Sequence, residues 1–426
     1  MKRRARFCET CVYRWPAGRK RTNKEEEEAM KFEYSNKVKT VQGSIIRELI
    51  KNMSDPSTIS FAGGNPCVES FPAEAIRRIS DRLLRDDPAG CLQYSTTEGY
   101  GPLREASRKF ANRHGNVIKD SDMLIITSGN MQVFDMMARL LCNEGDVVAA
   151  EEPAFMGCYN AVHNCGANLV GIPMEEDGAD MEALERALSA TPKPRFYYTV
   201  PNYQNPTGIT TSLEKRKKAF ELCTKYQVPI LEDDPYGELR FSGEYIPSIK
   251  SFDTDGLVVY CGSYSKILSP GMRLAYCAGD PDIIVKMTTL KQVCDVHSNI
   301  WAQRVCYEYL TTEDVEKDIR RIQDIYRGKA EFMMKCLDEY LGDRIRYVRP
   351  RGGMFIWITL PDEVPMADYV RRCMERKVTM VPGNGFLTDT SAPSQCIRLS
   401  YSLPPLDDMR EGIRIMGEVL DSYYQK

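Results

Sequence analysis

The sequence contains few of the residues that would indicate a metal site. Its 426 residues include only three histidines, His114, His163 and His297, and no two of them lie close together in the sequence. Cys8 and Cys11 form a lone CxxC pair, with no second pair to complete the tetrahedral set of ligands that zinc requires. We therefore predict that the chain binds no metal.

Long apolar runs and an excess of one charge are also absent. No stretch approaches the roughly 18 apolar residues of a membrane helix, and the basic N-terminus lacks the apolar segment of a secretory signal. The formal net charge of −3 is small for this length, so nothing favours binding to nucleic acid or to acidic membranes. Fifteen cysteines, an odd number scattered through apolar segments, are typical of reduced core residues and predict a cytoplasmic protein.

The length and the 42% of hydrophobic residues predict a large core that is divided between more than one domain. Residues 1–29 are interpreted as a basic extension: a disordered tail, an organellar presequence, or a segment upstream of a start at Met30. The predicted divisions of the rest are a segment at 30–75 that joins a small domain, a large domain at 76–305, and the small domain itself at 306–426.

Short apolar runs bounded by turn residues alternate with amphipathic stretches. Runs such as "DMLIITSG", "GDVVAAEEP" and "VPILEDDP" are too apolar for half-exposed strands and too short for most helices. Between them lies "GNMQVFDMMARLLCNEG", whose apolar residues recur at helical spacing and are interpreted as a core stripe. These residues are Met131, Phe134, Met137, Ala138 and Leu141. The interleaving predicts an α/β fold with a mostly parallel central sheet between helices, followed by a smaller α+β domain.

Polar side chains follow several predicted strands at their carboxyl ends, where ligands bind to doubly wound sheets. In "IITSGNMQ" a strand runs into a helix whose first N–H groups can bind an anion. The other strand-end residues are Asn205, Asp233, Tyr236, Ser263, Ser265, Lys266 and Arg273. Each signal alone is weak, because an acid after a strand is most often a helix cap or a turn residue. Together they fit one ligand with a phosphate, an aromatic ring with a basic nitrogen, a phenolic oxygen and an aldehyde, namely pyridoxal phosphate.

Seven motifs carry a resemblance to a known family. They are, in order, "ISFAGGNP", "LQYSTTEGYGPLRE", "TSGNMQ", "PNYQNPTG", "EDDPY", "SYSK" with "GMR", and "IRLSYS". From about residue 40 to the C-terminus the sequence closely resembles the fold-type I aminotransferases that depend on pyridoxal phosphate. Within them it is similar to the group that contains the kynurenine and α-aminoadipate aminotransferases.

The resemblance implies catalytic roles for three residues. Lys266 would react with the cofactor aldehyde, which requires an amine that loses its proton when desolvated beside cations, and would move a proton from the substrate Cα to the cofactor. Asp233 would keep the pyridine nitrogen protonated, so that the ring accepts the electrons released at Cα. Tyr236, together with Asn205, would hydrogen-bond the phenolic oxygen of the ring.

The resemblance also implies which residues hold the cofactor. The phosphate would be bound by Gly129, Asn130, Met131, Ser263, Ser265 and Arg273, with Tyr94 contributed by the partner subunit of a homodimer. Phe155 would stack on the pyridine, although many relatives have a tyrosine there and its hydroxyl is missing. Asn130 and Met131 also depart from the Ser or Gln that is common in relatives. Contacts that are made through the backbone tolerate this change.

Four residues would bind the substrate. Arg398 would form a bidentate pair with the α-carboxylate, assisted by Asn205 and by Gly64, whose missing side chain lets the backbone approach the ligand. Arg47 matches an arginine that meets the distal carboxylate of the substrate in α-aminoadipate aminotransferases. An arginine on an amphipathic helix is also often only solvated, so both interpretations of Arg47 stay open.

The predicted reaction is the transfer of an amino group from an L-amino acid to a 2-oxo acid, with 2-oxoglutarate as the expected acceptor, by a ping-pong mechanism. The donor would be aromatic, branched or aliphatic, or similar to 2-aminoadipate. The resemblance implies a homodimer, since Tyr94 and Ser298 would complete the site of the neighbouring subunit. Two alternatives stay open: a pyridoxal-phosphate-dependent C–S β-lyase or cyclopropane-forming synthase, and an aminotransferase-like transcription regulator.

Overall fold

A computed structural model describes residues 57–425 of the chain. Arg47 and the CxxC pair of Cys8 and Cys11 lie outside these residues, so the predictions made for them have no structural counterpart. Within residues 57–425, no helix combines the length and the apolar character that crossing a membrane requires.

The described helices and strands alternate along most of the chain. In chain order the helices are α1 (Ala73–Asp86), α2 (Pro88–Leu92), α3 (Gly101–Ala111), α4 (Asn130–Leu141), α5 (Met156–Asn164), α6 (Met181–Ser189), α7 (Leu213–Tyr226), α8 (Pro281–Cys294), α9 (Ile300–Thr312), α10 (Val315–Tyr340), α11 (Met366–Glu375) and α12 (Leu406–Asp421). The strands are β1 (Ile59–Ser60), β2 (Met123–Thr127), β3 (Val147–Glu152), β4 (Asn168–Glu175), β5 (Gly178–Ala179), β6 (Tyr197–Thr199), β7 (Ile230–Asp234), β8 (Val258–Ser263), β9 (Ala275–Gly279), β10 (Arg346–Tyr347), β11 (Phe355–Thr359), β12 (Val378–Thr379), β13 (Val381–Pro382) and β14 (Cys396–Ser400).

The largest sheet has eight strands in the order β2-β9-β8-β7-β6-β3-β4-β5. Strands β8, β7, β6, β3 and β4 run parallel to one another, whereas β9 pairs antiparallel with both β2 and β8, and β5 pairs antiparallel with β4. The inner strands are buried along nearly their whole length, because helices cover both faces of such a sheet. This burial explains the continuous apolar runs in the sequence, and the predicted α/β fold class is confirmed.

A second, antiparallel sheet has the order β10-β11-β14-β13. The short strand β1 pairs in parallel with β12, so that Ile59 lies opposite Val378. Residues just before α1 therefore pack with the C-terminal part of the chain, as expected for the predicted small domain. The domain boundaries themselves stay predictions, and the one placed after residue 305 falls inside the continuous helix α9.

Helix α4 begins at the ligand side of the large sheet and carries the apolar stripe seen in the sequence. Phe134, Met137 and Ala138 are buried, as predicted. Met131 is 41% exposed and lines a cavity, so its interpretation as a core residue is wrong. The spacing of the apolar residues is that of a buried helix, but the first turn of α4 lies at the carboxyl ends of the strands, where the cavity opens.

Replacement of glycine by alanine should change the stability in opposite directions at two helix positions. A Cβ at Gly417 in α12 would lie 2.7 Å from the carbonyl oxygen of Tyr340, whereas a Cβ at Gly328 in α10 would meet nothing within 4 Å. Gly417→Ala should destabilise the fold by about 1–3 kcal/mol, because the backbone of α10 must move. Gly328→Ala should stabilise it by about 0.5–1 kcal/mol through the lower entropy of the unfolded chain. Thermal unfolding checks the sign, and equal shifts for both variants would contradict the close packing of α10 and α12.

Candidate active site

A cavity of about 140 Å³ opens at the carboxyl ends of the central strands. It is lined by Asn130, Met131, Phe134, Phe155, Val200, Asn205, Asp233, Pro235, Tyr236, Ser263, Ser265, Lys266 and Arg273. Ten of these were predicted from the sequence as cofactor residues, although strands and loops up to 143 positions apart supply them. Larger surface grooves are present, but none of these ten residues lines them.

Lys266 follows β8 and extends into the cavity. Its Nζ atom donates a hydrogen bond to the carbonyl oxygen of Gly64 at 3.1 Å and lies 5.9 Å from the ring centroid of Tyr236. Displacement of water by the surrounding protein, followed by the charges of Arg273 and Arg398, lowers the pKa of Lys266 to about 8. A sizeable fraction of the amine is therefore neutral near physiological pH and can act as a nucleophile or a base.

Asp233 lies at the end of β7 and is only 2% exposed. Its Oδ1 accepts a hydrogen bond from Nδ2 of Asn130 at 2.5 Å, and its Oδ2 accepts one from the hydroxyl of Tyr198 at 3.1 Å. Burial raises the pKa of Asp233 to about 7, against the opposing effect of these two hydrogen bonds. No lysine or arginine among residues 57–425 forms an ion pair with this carboxylate, so a cationic ligand would complete the site.

The turn before α4 forms a cradle for an anion. Gly129 has φ of +85°, and a Cβ there would lie 2.2 Å from Nη2 of Arg273, so only glycine lets the guanidinium come this close. No side chain caps the first turn of α4. The N–H of Gln132 bonds to the carbonyl oxygen of Gly129, which leaves those of Asn130 and Met131 available to an anion. Ser263 and Ser265, which both carry hydroxyls, also line the cavity. A cation, free N–H groups and hydroxyls are what a phosphate group requires.

Arg398 extends from β14 and is 2% exposed. Its Nη1 donates to Oδ1 of Asn205 at 3.0 Å and its Nη2 to the carbonyl oxygen of Ala62 at 2.5 Å, while its buried Nε has no hydrogen-bond partner. The guanidinium lies 4.4 Å from the ring centroid of Phe355 and 5.0 Å from that of Phe386. Burial lowers the pKa of Arg398 to about 10, so the group is still a cation at neutral pH. It can bind a carboxylate that replaces the missing counter-charge.

Two residues expected at the neighbouring subunit's site lie away from this cavity. Tyr94 is 82% exposed, and its ring packs edge-on against His297 with centroids 5.9 Å apart. Ser298 is buried, and its Oγ bonds to Ser128 and to Lys291 of its own chain. These hydrogen bonds occupy the Ser298 side chain within its own subunit, whereas the exposure of Tyr94 is compatible with its expected role.

Sequence reasoning missed several side chains that contact the predicted residues. Tyr198 bonds to Asp233, and Phe355 and Phe386 flank Arg398. Tyr198 belongs to the run "RFYYTVPN", where a polar atom in an otherwise apolar strand was the available signal. The two phenylalanines carried no signal, because their contact with Arg398 exists only after distant segments pack together.

The cavity offers a carboxylate for a cationic ring nitrogen, a cradle for a phosphate and an amine for an aldehyde. These are the groups of pyridoxal phosphate, and a largely parallel sheet presents them, so fold and site together define a pyridoxal-phosphate-dependent enzyme of fold type I. Residues 56–415 match the family described as aminotransferase class I and II, and the chain belongs to this family. It is therefore an aminotransferase with pyridoxal phosphate as its cofactor.

The chain is similar along nearly its whole length to characterised relatives. It is 34% identical to aromatic-amino-acid aminotransferase 1 of Thermococcus litoralis, over 92% of this chain and 95% of that protein. It is 36% identical to 2-aminoadipate transaminase of Thermus thermophilus, over 89% and 94%. The crystal structure of the kynurenine aminotransferase of Pyrococcus horikoshii superposes with a TM-score of 0.88 at 35% identity, covering 92% of this chain and 98% of that one.

The unpaired carboxylate of Asp233 should make the cofactor-free protein less stable as pH rises. Between the usual pKa of 3.8 and the folded-state value of about 7 the folded state binds more protons than the unfolded state, so stability falls across this window. Asp233→Asn should therefore stabilise the cofactor-free protein at pH 8, by up to roughly 4 kcal/mol, because one pKa unit corresponds to about 1.4 kcal/mol. At pH 4 the gain should disappear.

A buried carboxylate that has a cationic partner provides the control. Asp253 pairs with Lys250 at 2.8 Å, so Asp253→Asn should destabilise the same protein at pH 8. Thermal unfolding of both cofactor-free variants at pH 4 and pH 8 measures the difference. A loss of stability in Asp233→Asn at pH 8 would contradict the raised pKa of Asp233.

Proposed function

We propose that the chain transfers the amino group of an L-amino acid to a 2-oxo acid, with 2-oxoglutarate as the acceptor, by a ping-pong mechanism in which Lys266 is the base. The observation that carries this proposal is the amine of Lys266, with a pKa of about 8, in the same cavity as Asp233. The two groups do not form an ion pair within 4.0 Å, which leaves both available to a ligand.

Each residue of the site has a separate task in this proposal. Arg398 binds the α-carboxylate of the substrate and orients its Cα. Bound pyridoxal phosphate supplies a ring that accepts the electrons released at Cα. Asp233 holds a proton on the ring nitrogen, which keeps the ring electron-poor. Nζ of Lys266 removes the proton from Cα, a transfer that a base with a pKa near the working pH performs well.

Asn205 and Tyr236 connect the cofactor and substrate ends of the site. Oδ1 of Asn205 accepts a hydrogen bond from Arg398, so the Nδ2 group of the same amide is available to the phenolic oxygen of the ring. Burial raises the pKa of Tyr236, so its hydroxyl stays protonated and can donate to the same oxygen. Gly129, Met131, Phe155, Ser263, Ser265 and Arg273 would hold the phosphate and the ring.

The donor that we propose is an aromatic amino acid or 2-aminoadipate. Support comes from the relatives named for aromatic amino acids, 2-aminoadipate and kynurenine, at 34–36% identity. Phe355 and Phe386 give the carboxylate end of the site an apolar wall, which is compatible with either donor. Arg47, proposed for a distal carboxylate, lies outside the described residues.

We also propose that the chain acts as a homodimer in the cytoplasm. Large apolar side chains close in sequence to Tyr94 or to its ring partner His297 are exposed, which is unusual for a surface that faces only water. They are Leu92 (73% exposed), Val293 (80%) and Val296 (48%). A second copy that covers this surface would bring Tyr94 toward the phosphate cradle of the partner.

Substrate turnover tests the proposed reaction. The purified holoenzyme, incubated with 2-oxoglutarate and a panel of aromatic, branched and acidic amino acids, should form glutamate without release of ammonia. Lys266→Ala should lose the absorbance near the visible edge that comes from the cofactor joined to this lysine. It should also reduce glutamate formation by roughly 10²–10⁴-fold or more, because it removes the base. Lys250→Ala, at a buried lysine paired with Asp122 and Asp253, is the control for a general loss of folding. Ammonia without glutamate would favour the lyase alternative, and normal turnover by Lys266→Ala would end the proposal.

Subunit mixing tests whether Tyr94 completes the site of the partner. Tyr94→Ala and Lys266→Ala homodimers should each be inactive when the cofactor is scarce. A heterodimer of the two variants should contain one intact site, because the Lys266→Ala subunit supplies Tyr94 to the Lys266 of the other. Co-expression and separation by two affinity tags measures this gain. Heterodimer activity no higher than that of the two parents would show that each subunit completes its own site.

A further inference from the structure

A buried polar network lies behind the phosphate cradle, on residues to which the proposed reaction gives no role. Its centre is Lys291, a residue of α8 with 0% exposure. Nζ of Lys291 donates to Oε1 of Gln132, to both carboxylate oxygens of Asp295 and to Oγ of Ser298, each at 2.9 Å. A lysine that is fully removed from water is costly unless its hydrogen bonds are satisfied, and here they are.

The same network fixes both ends of the turn at Gly129. On one side, Oγ of Ser128 donates to Oδ2 of Asp295 at 2.7 Å, and the backbone N–H of Ser128 donates to Oε1 of Gln132 at 2.8 Å. On the other side, Nε2 of Gln132 donates to Oδ2 of Asp295 at 2.9 Å. Oδ2 of Asp295 therefore accepts from three groups: Lys291, Ser128, which precedes Gly129, and Gln132, which follows it by three residues. The hydroxyl of Ser128 is used inside the protein and is not left for a ligand.

We propose that Lys291 and Asp295 are positioning residues for the cofactor phosphate. They do not touch the phosphate; they hold Ser128 and Gln132 so that the N–H groups at the start of α4 keep a fixed direction. An anion site built from backbone N–H groups depends on their orientation, since these groups have no other means of following the ligand. The inference rests on the proposed role of the turn at Gly129 and names the residues that set its shape.

The network also reaches the surface that carries Tyr94. Nε2 of Gln303 donates to the carbonyl oxygen of Ser298 at 2.7 Å, while its Oε1 accepts from the backbone N–H of Tyr100 at 2.8 Å. His297, next to Ser298, packs against Tyr94. Hydrogen bonds thus lead from the phosphate cradle to Ser298, and the ring contact of the adjacent His297 with Tyr94 continues the connection to the proposed dimer surface.

Affinity for two forms of the cofactor separates positioning from general stability. Dissociation constants of pyridoxal phosphate and of pyridoxal, which lacks the phosphate, are measured by absorbance on the cofactor-free protein. The dissociation constant of pyridoxal divided by that of pyridoxal phosphate, called the ratio below, reports the phosphate site alone, because the ring and the aldehyde are common to both. Lys291→Met should weaken binding of pyridoxal phosphate by roughly 10-fold or more, as is typical when the partners of a binding group are removed. Binding of pyridoxal should change little, so the ratio should fall.

Matched variants make each outcome decisive. Lys250→Met removes another buried lysine, paired with Asp122 and Asp253 at the opposite ends of the strands, and should keep the ratio. Asp295 is 28% exposed, and Asp295→Asn keeps the size of its side chain. This variant should also lower the ratio, and it decides the question if Lys291→Met does not fold. An equal loss of affinity for both ligands in Lys291→Met and Asp295→Asn would overturn the inference.

Arg273→Met distinguishes this inference from the proposed phosphate site itself. Its guanidinium lies against Gly129, so its removal should also lower the ratio. A normal ratio in Arg273→Met would show that the phosphate does not bind at this turn, and the proposed site would fail. A lowered ratio in Arg273→Met with a normal one in Lys291→Met would refute only the role of Lys291 and Asp295.

Discussion

The site depends on two groups of opposite charge that share one cavity without pairing. Asp233 at the end of β7 is held by Asn130 and Tyr198, while Lys266 after β8 bonds to the carbonyl oxygen of Gly64. Because each group has a hydrogen-bonding partner on its own side, the two do not collapse onto each other. A ring with a basic nitrogen at one end and an aldehyde at the other would offer a partner to both.

The parallel sheet makes this separation possible. Strands β7 and β8 are neighbours with Asp233 opposite Cys261, so both strands deliver their following residues to the same edge. Helix α4 starts at this edge as well, and its free N–H groups face the cavity. The order of the strands therefore places a carboxylate, an amine and an anion cradle together although they are far apart in the sequence.

Those parts of the fold that follow from local patterns were predictable, and those that follow from packing were not. Strands β2, β3, β6, β7 and β8 appear in the sequence as short apolar runs because helices bury both faces of the sheet. Strand β4 gives no such run, since several of its residues are exposed and Pro173 interrupts it. The bond between Asn130 and Asp233 joins residues 103 positions apart, and no local pattern predicts it. Arg398 could be identified by its motif, but not its position between Phe355 and Phe386.

Three ionisable groups of the site have pKa values shifted toward neutrality, and each shift has burial as its largest cause. Asp233 is raised, whereas Lys266 and Arg398 are lowered. None of the three has a counter-ion among the described residues, so the charges are complementary to a ligand and not to each other. Burial of these charges lowers the stability of the cofactor-free protein. A ligand that supplies a cationic nitrogen and a carboxylate restores this stability, because it binds only the folded state. The charges of the empty site therefore favour binding of a cofactor and a substrate whose charges complement them.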